Sequence, residues 1–380
     1  MSINEFQIHR IPASAERLRG EVRAFIRETL GTRPRAAQSH SWMGFDDAFS
    51  RALGRRGWIG ITLPETYGGA GLTQFDRYVV LEELLAVGAP VSAHWIADRQ
   101  TGPLILKFGS ETQKAEHLPA ICRGERYFCI GMSEPDSGSD LASIASRAEP
   151  DEDGWILNGR KIWTTNAHRS HFVLVLARTA KSDHRHRGMS QFIVDLTAPG
   201  VEVRPVVDLT GDAHFNEIVF TDVRLGPDAL LGKAGDGWNQ VMAELAFERS
   251  GPDRFLSAFA GLAAMTDQAA AAGGLSQTAQ VGRFVARLVV LRQMSLAVTG
   301  RLAAAENPSW AASCVKDFGV TFEQELLDVA GAEFEFGPGG ASKDDVAAVG
   351  YLTQIAPAFS LRGGTREVLR GIIARGLGLR

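Results

Sequence analysis

A charged pair in an apolar helical stretch is the first candidate for chemistry. The stretch "MAELAFERSGPDRF" carries Glu248, followed at once by Arg249. On a helical projection Arg249 falls within an apolar stripe and Glu248 lies at its edge. The stripe consists of Trp238, Val241, Met242 and Leu245. Charges on an apolar face are costly unless they are paired or functional, and a carboxylate whose pKa is raised by burial suits general-base work.

These features make Glu248 a candidate general base, which would remove a proton from a substrate. Pro252 supports this prediction. If the helix continues, Pro252 has no N–H to donate to the Glu248 carbonyl, so a kink is expected there, and the kink would aim the Glu248 side chain into a cavity. Glu244 is the second candidate by proximity, although the projection places it further from the stripe. The alternative is an ordinary glutamate near a helix end, paired with Arg249, Arg254 or another cation.

Two later motifs combine small, polar and aromatic residues. They read "GMSEPDSGSDLASIASRAE" and "WILNGRKIWTTNA". Gly138 and Ser139 let a ligand approach the backbone, and Trp163 offers an aromatic wall, which are features that a flat, partly polar ring requires. Taken alone, however, residues 133–140 are typical of a polar turn before a strand, and a strand tryptophan usually fills a core.

The elements that must position these residues follow in the order helices, strands, helices. Apolar spacing predicts helices over "SAERLRGEVRAFIRETLG", with Gly31 as a stop, and over "QFDRYVVLEELLAVGAP". From about Phe128 the pattern alternates, which predicts strands. These are "HFVLVLAR", "SQFIVDL", "GVEVRPVV" and "NEIVFTDVRL". "GWILNGRKIWTT" is predicted to be a hairpin that turns at Asn158-Gly159.

Helices return after "LLGKAGDGW", and Thr365 is predicted to cap the last one. That helix is expected to bury Val368, Leu369, Ile372 and Ile373. The order predicts an α+β multi-domain fold. Its domains are an N-terminal α-helical domain (1–127), a central antiparallel, β-barrel-like domain (128–234) and a C-terminal four-helix bundle (235–380). The lack of βαβ alternation and of GxGxxG argues against a Rossmann domain and a P-loop.

Composition restricts the class of protein. The 380 residues are 45% hydrophobic and 22% charged, with a net charge of −4, so there is no overall basic footprint for nucleic acid or acidic membranes. Cys122, Cys129 and Cys314 form no metal-ligand spacing, and so sparse and odd a count is typical of a reducing compartment. Without a signal segment or an apolar run of roughly 18 residues, a cytoplasmic protein without metal is predicted.

Four ordered motifs resemble those of the acyl-CoA dehydrogenases, along nearly the whole chain. They are the two motifs quoted above, "LLGKAGDGW", and the tail "GGTREVLRGIIARGLG". The resemblance implies the α, β, α architecture of that family and bound FAD. It also implies desaturation of an acyl-CoA thioester to trans-2-enoyl-CoA, with electrons passed to an electron-transfer flavoprotein.

The resemblance also implies roles for single residues. Met132 and Ser133 would meet the pyrimidine edge of the flavin, Trp163 would pack near its ring, and Thr165 would hydrogen-bond close to its reactive nitrogen. The other implied cofactor contacts are Gly138, Ser139, Thr365 and Glu367. The implied substrate contacts are Ser139, Arg249 and Gly363.

Family members carry the catalytic glutamate at one of two positions. Many have it just before the Gly-Thr of the tail, where this chain has Gly363. A minority, including isovaleryl- and long-chain-specific enzymes, have it on another helix directly before an arginine, where this chain has Glu248. In the family the backbone N–H at the tail position donates to the thioester carbonyl. Gly363 retains that N–H, so this role survives without a side chain.

Two segments depart from the family pattern, and in the family both serve the FAD of a neighbouring subunit. The arginine of Arg-x-x-Phe-Gly is missing from "GGLSQTAQVGRFVARL", where Arg283 is a poor match. The Gln-x-x-Gly-Gly-x-Gly segment reads "LDVAGAEFEF", with Asp328 at the glutamine and Ala332 at the second glycine. The residues that would face the chain's own flavin match the family, whereas those that would serve a neighbour's do not. This contrast predicts a hetero-oligomer with a related subunit, with a homo-oligomer as the alternative. The alternative function is a non-catalytic subunit that completes the FAD site of such a partner.

Two further segments carry weaker signals. "HRHR" at 184–187 is predicted to be a solvated loop between two strands, with metal or phosphate binding as the alternative. "HWIADRQTGP" places Trp95, Arg99 and Gln100 near the start of the acyl pocket of the family. A structural helix is the default interpretation there, and a substrate-lining role is the alternative.

Overall fold

The chain divides into two compact units. The computed structural model describes residues 6–248, 251–336 and 341–379, and for 245–248 and 334–336 it describes the backbone alone. The helical unit comprises Met1–Phe45, Leu72–Val91 and Glu248–Arg380, and the sheet unit comprises Asp46–Gly71 and Ser92–Phe247. Helices, strands and helices follow one another along the chain as predicted, while the three domain ranges stay a prediction.

The secondary structure has the following bounds. Within the described residues the α-helices are α1 Ala13–Leu30, α2 Arg35–Ser39, α3 Asp47–Arg55, α4 Gln74–Ala86, α5 Ser92–Ile96, α6 Gly102–Phe108, α7 Glu111–Cys122, α8 Gly237–Glu248, α9 Phe259–Ala272, α10 Leu275–Ala303, α11 Ser309–Phe336, α12 Lys343–Leu361 and α13 Arg366–Gly376. The strands are β1 Phe128–Gly131, β2 Arg147–Asp151, β3 Gly154–Thr165, β4 Phe172–Arg178, β5 Met189–Asp195, β6 Val201–Val206 and β7 Phe215–Leu225. The helices and strands quoted from the sequence are therefore present, apart from the hairpin in "GWILNGRKIWTT".

The strands of the sheet unit form one mixed sheet. Their order is β1-β4-β2-β3-β7-β6, and β5 also pairs with β4. The prediction of an antiparallel domain is wrong in part, because β1 runs parallel to β4 and β2 meets β4 in a short parallel bridge. The remaining pairings are antiparallel. A parallel pair needs a long crossover connection, and the β2-β3 hairpin between β1 and β4 supplies it.

Asn158-Gly159 forms a β-bulge rather than the predicted turn. β3 runs unbroken through both residues, and its hairpin with β2 turns at Glu152-Asp153 instead. The register of β3 against β7 shifts at this point. Gly159 has a φ of 148°, and a Cβ there would lie 2.2 Å from Ser146 Oγ. The glycine is thus required by a bulge and a close backbone approach, which are contacts distant in sequence.

Two features of the helices in the sheet unit bear on the site: a π-turn between α5 and α6, and the packing of α8 on the sheet. Ala97–Thr101 forms the π-turn and joins α5 to α6. α8 packs through Val241 and Trp238 on a cluster that includes Leu176 of β4 and Met189 of β5. The sheet therefore fixes which face of α8 is buried.

The helical unit is built from long C-terminal helices. α9, α10, α11 and α12 pack on one another, and α13 lies against α11. Thr365 caps α13, since its Oγ1 accepts from the Val368 N–H at 3.5 Å, as predicted. Leu369 is buried, but Val368, Ile372 and Ile373 are only half-buried. Of the helices described, none is both long and apolar enough to span a bilayer.

Candidate functional site

The loop after β1 is tied to β3 by a buried ion pair. Lys161 of β3 is fully buried, and its Nζ donates to Glu134 Oε1 at 2.7 Å and to the Met132 carbonyl at 3.0 Å. The Glu134 carboxylate also accepts from the backbone N–H groups of Ala145 and Ser146, at 2.6 and 2.9 Å. One carboxylate thus joins both ends of the loop to the sheet. Neither member of this pair was predicted as functional from the sequence.

Burial and pairing act in opposite directions on the two charges. Burial lowers the pKa of Lys161 to about 8, although Glu134 pulls it upward. Burial alone would raise the pKa of Glu134, but the charge and hydrogen bond of Lys161 hold it below its usual value. Each ion therefore replaces much of the hydration that the other has lost.

Trp163 projects into solvent from this junction of loop and strand. Its side chain is 58% exposed, and its φ of 61° lies in the left-handed region that a bulky residue rarely adopts. The register with β7 shifts between Lys161 and Thr164, which re-aims the side chain. Its ring meets Phe215 edge-on, with centroids 5.9 Å apart. The interpretation that Trp163 fills a core, as a strand tryptophan usually does, is therefore wrong. An exposed aromatic side chain on a strained backbone indicates a ligand-binding role.

The other predicted residues of the sheet unit lie on the same loop and strand. The Ser133 carbonyl accepts at 2.9 Å from the N–H of the residue before Trp163. Gly138 and Ser139 are exposed further along the loop, and no atom lies within 4 Å of where a Cβ on Gly138 would stand. Thr165 ends β3. An open backbone and an exposed indole on a rigidly tied loop suit a flat aromatic cofactor.

The buried face of α8 differs from the one that the helical projection predicted. Met242 is 43% exposed, whereas Glu244 is 1% exposed. The Glu244 carboxylate accepts from Gln100 Nε2 at 3.2 Å and from Gln191 Nε2 at 3.4 Å. The projection was wrong because apolar periodicity alone does not reveal buried polar partners on neighbouring elements.

Glu248 is the last residue of α8. Its side chain lies outside the described residues, as does all of Arg249. The helix does not continue as far as Pro252, since Pro252–Arg254 form a 3-10 turn, so the predicted kink is replaced by a helix end. The roles of Glu248 and Arg249 stay predictions.

The predicted tail residues of the helical unit lie together at the start of α13. Gly363 and Gly364 have φ values of 65° and 96°, a region that favours glycine. A glutamate at Gly363 would be strained in this conformation, which agrees with a base placed elsewhere. Thr365 caps the helix, and Glu367 is exposed in its first turn.

A buried lysine of α11 holds this tail turn, and Arg362, which follows α12, anchors it from the other side. Lys316 is fully buried, and its Nζ donates to the carbonyls of Arg362 and Gly364. The Arg362 guanidinium lies 4.1 Å from the centroid of the Trp42 ring and donates to Ser257 Oγ at 2.8 Å. No sequence pattern predicts this cluster, because a single lysine in an amphipathic helix is usually solvated.

Glu323 is the acidic member of the same cluster. Its Oε1 accepts from the N–H groups of Ser257 and Ala258 at 2.6 and 3.3 Å, and its Oε2 lies 3.7 Å from Arg362 Nη2. Burial raises the pKa of Glu323 to about 7, although Arg362 and these hydrogen bonds act to lower it. The carboxyl therefore keeps its proton in the folded chain at a pH where the unfolded chain has released it.

The free energy of unfolding should consequently contain a term that falls as pH rises. The contribution of Glu323 is complete below its unfolded pKa of 4.5 and is lost as pH rises to about 7, a change of roughly 3 kcal/mol. Urea unfolding of the parent and of Glu323→Gln across this window should show their difference declining with pH. Glu325→Gln, on an exposed position of α11, should leave the slope unchanged. A parent-minus-variant difference that is flat with pH would contradict the shifted pKa.

The remaining predicted segments are placed as follows. Trp95 lies in α5, and Arg99 and Gln100 lie in the π-turn, all three buried. The Arg99 guanidinium lies 5.2 Å from the centroid of the Trp95 ring. A π-turn inside a helical segment often marks a functional site, so a lining role remains a proposal for these residues.

Residues 184–187 are exposed, as predicted for a solvated loop. His186 stacks on Trp238, with ring centroids 4.1 Å apart. In the part of the chain that the structure describes, no group of three or more His, Cys, Asp or Glu side chains is arranged to hold a metal ion.

Comparison with known proteins agrees with this arrangement. The acyl-CoA dehydrogenase N-terminal domain matches residues 12–125, and the acyl-CoA dehydrogenase middle domain matches residues 129–223. The acyl-CoA dehydrogenase IpdE1 of Mycobacterium tuberculosis is 39% identical over 62% of this chain and 63% of its own length. In three other mycobacterial acyl-CoA dehydrogenases the matched stretch is 49 to 54% of the relative's length.

Longer matches span both units. The mitochondrial short-chain specific acyl-CoA dehydrogenase of Bos taurus is 28% identical over 97% of this chain and 91% of its own length. The Tcur3481-Tcur3483 steroid ACAD is 25% identical with a TM-score of 0.85, covering 98% of this chain and 99% of its own. The ChsE4-ChsE5 complex of Mycobacterium tuberculosis is 26% identical with a TM-score of 0.83, covering 100% of both chains. Together with the motifs of the tied loop, β3 and the tail, these matches show that the chain belongs to the acyl-CoA dehydrogenase family.

Proposed function

We propose that this chain is an FAD-dependent acyl-CoA dehydrogenase that converts an acyl-CoA thioester to its trans-2-enoyl-CoA. The observation that carries the proposal is Trp163, an exposed indole held at positive φ on a loop that a buried ion pair fixes. Family membership supports the same conclusion. We propose an electron-transfer flavoprotein as the acceptor of the electrons.

The residues of the sheet unit would hold the flavin. Met132 and Ser133 would meet its polar edge, Trp163 would cover its ring, and Thr165 would donate near its reactive nitrogen. The open backbone at Gly138 and Ser139 allows close approach. When bound, FAD supplies the acceptor for the hydride that leaves the β-carbon of the substrate.

The remaining residues act on the thioester. Glu248, as a carboxylate, takes the α-proton, and burial against an apolar acyl group would raise its pKa toward the working pH. The Gly363 N–H donates to the thioester carbonyl, which stabilises the negative charge that develops as the proton leaves. Thr365 and Glu367, at the start of α13, would support the cofactor. Ser139 and Arg249 are proposed as further substrate contacts.

We propose a related second subunit as a partner. Arg283, Asp328 and Ala332, which stand where the family serves a neighbour's FAD, are exposed in this chain but have the wrong side chains for that role. Two of the similar structures carry names that pair two proteins, the Tcur3481-Tcur3483 steroid ACAD and the ChsE4-ChsE5 complex. The partner would supply the contacts that these positions lack.

The visible absorption spectrum and mass of the chain purified alone test the proposal. About one FAD per chain, bleached by an acyl-CoA under anaerobic conditions, is the expected result. Colourless protein that takes up no added FAD would instead favour the alternative, a non-catalytic subunit that completes a partner's site.

Trp163→Ala should weaken FAD binding by about tenfold or more, because it removes the aromatic wall without touching the core. The stability of the FAD-free chain should change by less than about 1 kcal/mol, since the side chain is exposed. Trp155→Ala is the matched control, because Trp155 packs edge-on against Phe192 of the sheet core. It should destabilise the chain by about 3 kcal/mol and spare FAD affinity in the folded fraction. Fluorescence titration with FAD and thermal unfolding measure both effects, and unchanged FAD affinity in Trp163→Ala would contradict its role.

A further inference from the structure

A buried polar cluster lies where α8 meets β5 and the π-turn of the sheet unit. It consists of Gln100, Gln191, Gln240 and Glu244, whose exposures are 7%, 0%, 0% and 1%. Four long polar side chains seldom share a protein interior, and each buried polar atom needs a hydrogen-bond partner. The hydrogen bonds that these side chains make, and those that they lack, therefore indicate which ligand group the cluster would bind.

The hydrogen bonds fix the orientation of the two central amides. Gln191 Nε2 donates to the Glu244 carboxylate at 3.4 Å, and Gln240 Nε2 donates to the Leu231 carbonyl at 2.7 Å. Both nitrogens face atoms that only accept, so the opposite assignment of either amide is excluded. The Leu231 N–H also donates to the Gln191 carbonyl at 2.9 Å, which places both glutamines beside Leu231.

Two acceptor atoms of this cluster have no donor among the described residues. They are Gln191 Oε1 and Gln240 Oε1, and both are buried. An acceptor left in this state is unfavourable, because it has lost its hydrogen bonds to water and gained none in exchange. The Glu244 carboxylate beside them is also an acceptor, and it already receives the Gln100 and Gln191 amides. The cluster thus presents acceptors and calls for a donor, such as a hydroxyl group or a water molecule.

Helical spacing relates the cluster to the proposed base. Gln240, Glu244 and Glu248 follow at intervals of four residues on α8, so their backbone positions share one face of the helix. Glu244 and Gln240 lie about 6 and about 12 Å from Glu248 along the helix axis. An acyl group whose α-carbon meets Glu248 and which extends along α8 would therefore reach the cluster several bonds beyond its β-carbon.

We propose that the acyl group of the substrate carries a hydroxyl distant from the thioester, and that Gln191, Gln240 and Glu244 recognise it. The inference rests on the proposed dehydrogenase function and adds the substrate class, a hydroxylated rather than a plain alkyl acyl-CoA. A keto group does not meet the requirement, because it has no hydrogen to donate to these oxygens. A site with unmet acceptors discriminates strongly against an analogue that lacks the donor.

Matched pairs of saturated acyl-CoAs test this, each pair sharing chain length and differing in a terminal hydroxyl. Anaerobic flavin reduction by the FAD-loaded protein gives kcat/KM for both members over a series of lengths. At the length that reaches the cluster, the hydroxylated member should be favoured by at least about tenfold. Equal or lower values for hydroxylated members at every length would overturn the inference alone and would indicate a buried water at the cluster. No flavin reduction by any member would overturn the dehydrogenase assignment, and this inference with it.

Gln240→Leu removes one of the two acceptors and should bring the hydroxyl-to-alkyl ratio of kcat/KM close to one. The ratio of the two kcat/KM values does not depend on the fraction of the variant that folds. If the variant does not fold at all, the matched acyl-CoA pairs measured with the parent protein still test the proposal. Asn239→Leu is the matched control on the exposed side of α8, and it should keep the parent ratio. A full preference retained in Gln240→Leu would overturn the role of that residue in recognition.

Discussion

Glu248→Gln should bind FAD and acyl-CoA as the parent does and lose about three orders of magnitude in the rate of flavin reduction. The amide keeps the size of the carboxylate but cannot take the α-proton. The thioester carbonyl would still accept from the Gly363 N–H, so substrate affinity should change little. Rapid-mixing measurements of flavin bleaching under anaerobic conditions report the rate directly.

The control for this variant is Glu152→Gln, an exposed position in the turn between β2 and β3, which should behave as the parent. A Glu248→Gln variant that binds FAD and turns over normally would contradict the assignment of Glu248 as the base. If Glu244→Gln lost the reaction instead, the base would be the buried glutamate one turn earlier on α8. The tail position is not a third candidate, because Gly363 has no side chain.

Lys161→Met should lower the free energy of unfolding by about 3–5 kcal/mol, because it leaves the Glu134 carboxylate buried without its counter-ion. The Met132 carbonyl loses a donor in the same step. The loop that carries Ser133 and Gly138 is thereby released from β3, so FAD content should fall as well. Urea unfolding and the FAD-to-protein ratio measure the two effects.

A second substitution separates the loss of charge balance from the loss of packing. Glu134→Gln combined with Lys161→Met removes both charges and keeps an acceptor oxygen for one of the two N–H groups, of Ala145 and Ser146, that donate to Glu134. The double variant should therefore recover part of the stability lost in the single variant. Lys181→Met, at an exposed position, should be neutral. A cost below about 1 kcal/mol for Lys161→Met would show that the pair does not hold the loop.

The sequence alone located several helices and strands and identified the family motifs. Apolar spacing located α1, α4 and the strands β4 to β7, because periodicity depends only on which residues of an element face a core. Thr365 was recognised as a cap because capping is a bond between residues three apart. The motif around Ser133, the β3 motif and the tail identified the family for the same reason, since each is a short contiguous stretch.

Tertiary structure decided the features that depend on distant partners. Asn158-Gly159 has the composition of a turn, yet pairing with β2 and β7 makes it a bulge. The parallel pairing of β1 with β4 is not encoded in either strand and follows from the connection between them. Trp163 would be buried in an ordinary strand, but the register shift against β7 exposes it.

The polar interior shows the same division most clearly. Glu244, Lys161 and Glu323 are charged residues within helix or strand patterns, and nothing adjacent in sequence distinguishes them from solvated positions. Each is buried because a partner from another element meets it: Gln191 of β5, Glu134 after β1, and the Ser257 N–H before α9. Such pairings depend on how elements pack, which local periodicity does not specify. The sequence thus identified the family to which this protein belongs, and only the fold decided which of its polar groups are taken out of water.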